Sequence, residues 1–274
     1  MQLDLQKLDE IIDRALSEDI GSGDITSKLT IPEDAKLKAY FTTREECVVC
    51  GIPVLEQIFS RKSQSVNYAP IAIEAGEIKA GDRIFEVEGN ARVILAYERV
   101  ALNLIQYMSG ISTLTRKFVK EVEHTNAKIL DTRKITPNLR ILAKYSVWIG
   151  GGQNHRYCLD DGILIKDNHI AYVGNIKNAV ETAKKNAPKD MQVEVECDNL
   201  DQVKQALEAS ADIILLDNMG IKTLTQAVEI NQGQALLEAS GGISLENVKK
   251  IAETGVDRIS IGALTHSAPN IDIG

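Results

Sequence analysis

Hydrophobic positions recur with two periods along this chain, and the changes of period mark its elements. From Leu3 to Leu16 the apolar residues Leu5, Leu8, Ile11, Ile12 and Ala15 keep helical spacing, and the glycine-rich run EDIGSGDIT ends the pattern. KLKAYFTT and ECVVCG read as strands, with a helix over PVLEQIFSRK. In AIEAGEIKAGDRIFEVEGN, glycines at turn-like positions separate short alternating runs, which predicts a small sheet. Helical pattern follows over ARVILAYERVALNLIQYMSG and again over STLTRKFVKEVEH, and the change near Ser109 to Ile111 predicts a domain boundary there.

From about residue 127 one unit repeats. The apolar runs AKIL, GILIK, VEVEC, DIILLDN, ALLEASG and RISIG alternate with amphipathic segments such as NIKNAVETAKKNA, LDQVKQALEAS and LENVKKIAETG. Short apolar strands separated by helices predict βα units whose parallel strands are buried on both faces. A doubly wound sheet and a closed barrel both satisfy right-handed crossovers. Polar residues at the strand ends separate the two: Arg133 and Lys134, Lys166, Glu196, Asp217, Ser240 with Gly241 and Gly242, and Gly262. The steps from 166 to 196, 217, 240 and 262 are 30, 21, 23 and 22 residues, close to one βα unit each. Polar groups at successive strand ends are the layout of a (β/α) barrel, whereas an open sheet gathers its site at one switch point. With six or seven strand signals the barrel is expected to be incomplete.

Composition narrows the ligand. The 274 residues are 44% hydrophobic and 26% charged, with a formal net charge of -8 and a pI near 5.2. An acidic chain without a basic stripe is a poor nucleic-acid binder, so the cations above mark a focused anion site. No run approaches the ~18 apolar residues of a membrane span, and the acidic amphipathic N-terminus is unlike a signal peptide. A cytoplasmic protein without membrane or nucleic-acid partners is expected. Cys47 and Cys50 form a CxxC inside a strand-like run, with no second pair and no nearby histidine, and read as apolar strand residues.

The candidate chemistry lies at the strand ends. EASGGIS and ISIGALTH put small residues at two successive ends, where backbone N–H groups can approach a phosphate. Glu196 and Asp217 stand in apolar runs on neighbouring strands; they suit ribose hydroxyls or a Mg²⁺ carried with a substrate, or a salt bridge to Lys166. Arg133, Lys134, His155, Arg156 and Lys166 come from three loops, and so many cations imply a ligand with several anionic groups. The helix expected from Pro137 carries Arg140 away from this set, and His124 and His266 read as structural.

These segments together, EDIGSGDIT, ERVALNLIQYMSGISTLT, DTRKITPNLR, GGGQNHR, LIKDNHI, VEVEC, LLDN, EASGGI and SIGALTHSAP, resemble the quinolinate phosphoribosyltransferase family over nearly the whole chain. The resemblance implies an N-terminal α/β sandwich over 1–110, an incomplete (β/α) barrel over 111–266, and a tail over 267–274 returning to the first domain. It implies transfer of phosphoribose from 5-phosphoribosyl 1-diphosphate to quinolinate, with loss of CO2 and diphosphate, giving nicotinate mononucleotide. By motif position, Thr132, Arg133, His155 and Arg156 would bind quinolinate, with Lys134 and Lys166 in the same pocket and Arg99 reaching in from the second subunit of a homodimer. Glu196 and Asp217 would serve the ribose and the Mg²⁺, and Ser240, Gly241, Gly242, Ile261, Gly262 and Ala263 would cradle the 5-phosphate. Lys134, Lys166, Glu196 and Asp217 form the expected catalytic set, without an organic cofactor. The family commonly shows DTRKTTPGLR, so Ile135 and Asn138 depart from it, as does Cys158 where glycine is frequent.

Rival readings are a paralogous phosphoribosyltransferase associated with molybdenum transport, a Schiff-base aldolase using Lys134 or Lys166, and a non-catalytic sensor. The aldolase requires a lysine in an apolar or cationic setting.

Overall fold

A computed structural model describes residues 3–274. In chain order the elements are α1 (Leu5–Ile20), α2 (Ile25–Thr30), β1 (Lys36–Thr42), β2 (Cys47–Val48), α3 (Ile52–Ser60), β3 (Val66–Pro70), β4 (Glu77–Ile78), β5 (Arg83–Asn90) and α4 (Ala91–Val122). There follow β6 (Lys128–Leu130), α5 (Arg140–Ile149), β7 (Ile163–Ile165), α6 (Asp167–Val173), α7 (Ile176–Asn186), β8 (Val193–Cys197) and α8 (Leu200–Glu208). The chain closes with β9 (Ile213–Asp217), α9 (Ile221–Asn231), β10 (Leu236–Ser240), α10 (Val248–Ala252), β11 (Arg258–Ser260) and α11 (Ala263–His266).

Two compact units form. One runs up to Arg116 and takes in Ile135–Gly151 and Ala263–Gly274; the other comprises Lys117–Lys134 and Gly152–Gly262. The stretch Ile135–Gly151, which sequence order assigns to the barrel, therefore packs with the first unit. The helix α4, 32 residues long, runs unbroken through Ser109 to Ile111, where the change of pattern falls. At Gly110 within it a Cβ would collide with the carbonyl of Pro269, so glycine lets the C-terminal segment lie against the helix.

The first unit is built on an antiparallel sheet in the order β1-β5-β3, with the small pair β2-β4. Leu8, Ile12 and Leu16, four residues apart on α1, are buried, and Asp4 caps that helix by accepting from the Gln6 and Lys7 N–H groups. Phe41, Phe59 and Phe85 meet with ring centroids 6.1 Å apart, edge to face or stacked, each contact adding about 1 kcal/mol beyond the apolar area it buries. The chain end is tied in as well: Thr42 N–H donates to Gly274 O at 2.7 Å, and Gly274 N–H returns a bond at 3.0 Å.

Cys47 and Cys50 are buried free thiols, and burial pushes both above the ordinary thiol range, so neither is poised for redox or metal chemistry. Glu74 beside them accepts the N–H groups of Gly51 and Ile52 at 2.9 Å and so caps α3.

The second unit holds a six-stranded parallel sheet in the order β6-β11-β10-β9-β8-β7. In a closed barrel the consecutive strands β6 and β7 would be neighbours; here they are the two edges, and both are only three residues long. Gln153 continues beyond β6, bridging Leu130 in parallel fashion. The sheet is thus the incomplete barrel that the strand signals predict. Among the described residues, no helix is long and apolar enough to cross a membrane.

Candidate active site

Residues paired across a parallel ladder point to the same face. The pairings Ile165 with Val195, Glu196 with Leu215, and Asp217 with Ser240 therefore carry the strand ends round in one consistent register. Lys166 follows β7, Glu196 lies near the end of β8, and Asp217 and Ser240 close β9 and β10. The C-terminal ends of these strands gather the side chains predicted from spacing.

Lys166 and Glu196 meet directly, Nζ to Oε2 at 2.7 Å, with side chains 46% and 14% exposed. The salt bridge foreseen as one use of the acid is present. It is not the apolar or cationic setting that an imine-forming lysine requires. On the next strand Asp217 accepts a bond from Asn218 Nδ2 at 2.7 Å, while Asn218 N–H donates to Ser240 O at 2.8 Å. That stitch brings the β9 and β10 loops together. Gly241 has φ +89, and a Cβ on it would strike the Asn218 side chain, so residue 241 needs glycine for both its conformation and its neighbour. Asn247 Nδ2 donates to Gly242 O at 2.9 Å and holds the rest of the turn. Ile261 is buried and Gly262 half-buried directly after β11.

The cationic side is assembled by a carboxylate that spacing did not single out. Asp131, fully buried at the end of β6, accepts from Asn154 Nδ2 at 2.6 Å and from His155 N–H at 2.9 Å. It thereby latches the GGGQNHR loop beside the DTRK segment. Thr132 Oγ1 accepts the Lys134 N–H at 3.1 Å and shapes the turn, leaving Lys134 exposed. Arg156 is held by Gly162 O at 2.9 Å. Burial first, and then the positive charge of Arg133, pull the Arg156 guanidinium below its ordinary range. The Nε of Arg133 is buried without a hydrogen-bond partner. Two guanidiniums close enough to disturb each other, one with a buried donor to spare, suit an anionic ligand.

His155 lies behind them, its Nε2 3.1 Å from Glu194 and 3.5 Å from Glu238. Both glutamates escaped the sequence reading. The available signal was their position two residues before Glu196 and Ser240, which in a strand means the same face. Arg99 is exposed on α4 and Ala263 opens α11, both in the first unit. Arg140 begins α5, three residues later than the helix expected from Pro137, because Asn138 takes the left-handed conformation at φ +67. His124 pairs with Glu253 at 3.2 Å, a structural role.

The family description "Quinolinate phosphoribosyl transferase, N-terminal domain" matches residues 24–109, and its C-terminal counterpart matches residues 111–274. The carboxylating nicotinate-nucleotide pyrophosphorylase of Mycobacterium leprae is 42% identical over 274 residues, covering 97% of this chain and 95% of its own length. The solved nicotinate-nucleotide pyrophosphorylase of Ehrlichia chaffeensis superposes with a TM-score of 0.95 at 45% identity, covering 100% of this chain and 98% of that one. The enzyme of the same name from Francisella tularensis gives 0.95 at 41% identity, covering 100% and 96%. With both halves matched and relatives aligned end to end, this chain belongs to the quinolinate phosphoribosyl transferase family.

Proposed function

We propose that this protein transfers phosphoribose from 5-phosphoribosyl 1-diphosphate to quinolinate with decarboxylation, forming nicotinate mononucleotide, diphosphate and CO2 for NAD synthesis. The observation that carries the reading at the level of the site is the Arg133 and Arg156 pair, whose mutual repulsion and idle donor a planar dicarboxylate relieves. The curated relatives named for this activity support it.

In this reading Arg133 and Arg156 take the two acceptor carboxylates, with Thr132, Lys134, His155 and Lys166 around them. Glu196 and Asp217 receive the ribose hydroxyls. The 5-phosphate lies against the backbone N–H groups of Ser240, Gly241, Gly242, Ile261, Gly262 and Ala263. Magnesium arrives with the diphosphate substrate; carboxylate oxygens at neighbouring strand ends suit such a hard cation, so Glu196 and Asp217 are the residues that fit it. Arg99, exposed on α4, is assigned to the site of a second copy in a cytoplasmic homodimer.

The chemistry asks for positioning and electrostatics. The ring nitrogen attacks the anomeric carbon as the bond to diphosphate breaks, and Glu196 and Asp217 offset the positive charge that develops on the sugar. The quaternised ring then accepts the electron pair left when the adjacent carboxylate departs as CO2, and a proton takes that carboxylate's place on carbon. No enzyme nucleophile is needed. Comparison of quinolinate, nicotinate and nicotinamide as acceptors tests the reading: quinolinate alone should react, and turnover of nicotinate in its place would overturn it.

A further inference from the structure

Beneath the cationic loop the parallel strands bury two acids for which the reaction above has no use. The pairings Glu194 with Ile213, Leu215 with Glu238, and Glu238 with Arg258 put these residues on one face of the sheet. Glu194 is 4% exposed and Glu238 0%, at positions that Ile213 and Leu215 fill with hydrocarbon on the neighbouring strand. Two adjacent buried carboxylates are costly unless a donor or a proton answers them. Both oxygens of Glu238 and the neighbouring Ser260 hydroxyl are buried without a well-formed hydrogen bond.

The group that meets both acids is the Nε2 of His155, 3.1 Å from Glu194 and 3.5 Å from Glu238. The Nδ1 of the same ring receives the backbone N–H of Arg156 at 2.8 Å. A backbone N–H can only donate, so Nδ1 carries the lone pair and the ring proton is on Nε2, facing the carboxylates. Both ring nitrogens are therefore engaged inside the protein. The histidine links the buried acids to the backbone of Arg156, whose guanidinium lies beside Arg133.

We propose that Glu194 and Glu238 are positioning residues for acceptor recognition: through the His155 ring they fix the backbone at Arg156 and so aim its guanidinium at an acceptor carboxylate. This rests on the dicarboxylate reading above and deepens it, making His155 a strut that acts through Arg156. A glutamine at 194 keeps an oxygen to accept the Nε2 proton, whereas an alanine leaves that proton unanswered.

The test compares Glu194→Ala, Glu194→Gln and Glu238→Ala with the wild type, reading KM for each substrate and the tautomer of His155 by nitrogen-15 NMR of the histidine ring. Glu194→Ala and Glu238→Ala should raise KM for quinolinate about tenfold or more, since a small misplacement of an orienting group has that size of effect, while KM for 5-phosphoribosyl 1-diphosphate stays within about twofold. Glu194→Gln should restore most of the loss. The wild-type ring should be neutral with its proton on Nε2, a preference lost in Glu194→Ala. An unchanged quinolinate KM, equal rises in both KM values, or a proton on Nδ1 of the wild type would each overturn the proposal. So would a stoichiometric divalent metal lost in His155→Ala, because the three side chains lie within 4.8 Å of one another and the ring would then be a ligand. The NMR arm decides even if an alanine variant fails to fold. Were the wild type inactive with quinolinate, the functional reading would fail while the ring tautomer still reported on the strut.

Discussion

Lys166 Nζ lies 2.7 Å from a carboxylate oxygen of Glu196, joining the ends of β7 and β8 across a step of the barrel that sequence spacing alone had suggested. Because the lysine side chain is nearly half exposed, this pair contributes little to stability, within about 1 kcal/mol. Lys166→Gln should therefore leave the melting temperature almost unchanged while lowering kcat/KM by about a hundredfold or more, the scale of losing one preorganised charge. Thermal unfolding and steady-state kinetics on one preparation check both halves.

On the proposed assignment Arg133 and Arg156 divide the acceptor between them, so each should be needed for quinolinate and neither for the phosphoribosyl donor. Arg133→Ala is expected to abolish quinolinate binding by calorimetry, a loss of roughly 2 to 4 kcal/mol for a charge-assisted bidentate contact. Binding of 5-phosphoribosyl 1-diphosphate should be largely spared. Equal losses for the two ligands would contradict the assignment.

At the opposite side of the site the prediction reverses. Gly241→Ala forces a left-handed backbone and a clash with Asn218, which opens the stitch from Asn218 to Ser240. KM for 5-phosphoribosyl 1-diphosphate should rise by about tenfold or more with little change in quinolinate affinity, because the altered turn is the one assigned to the phosphate in the proposed function. Separate binding titrations with the two substrates distinguish this from general unfolding.

Burial, reinforced by the charge of Glu194, pushes the Glu238 carboxyl up to about 7. A folded-state pKa above the ordinary 4.5 means the folded chain holds this proton more tightly, so the stability it contributes is present below 4.5 and lost as pH rises through 7. Glu238→Gln removes that loss. Urea unfolding should show the variant gaining on the wild type between those two pH values, by on the order of a few kcal/mol at the plateau. A constant difference across the range would contradict the account.

The barrel was legible because its strands are short apolar runs whose polar ends recur at βα intervals, which places Lys166, Glu196, Asp217 and Ser240 at strand ends from spacing alone. The helices were less legible where packing overrides local pattern. The change of pattern near Ser109 to Ile111 gave no sign that one helix runs through it, nor that Gly110 there serves a close approach by Pro269. Asn138, where the family commonly has glycine, keeps its turn because asparagine tolerates positive φ better than most side chains. Asp131, Glu194 and Glu238 escaped because acids in strands read as solvent-facing or as strand ends. Their burial and their contacts show that they are partners of the Asn154–Arg156 loop.

The most direct measurement follows the carboxylate itself. Quinolinate labelled with carbon-13 at the carboxyl next to the ring nitrogen is incubated with 5-phosphoribosyl 1-diphosphate and magnesium, and CO2 and nucleotide are both quantified. The account predicts labelled CO2, diphosphate and unlabelled nicotinate mononucleotide in equal amounts; a nucleotide that retains the label, or labelled CO2 released without the phosphoribosyl donor, would contradict it.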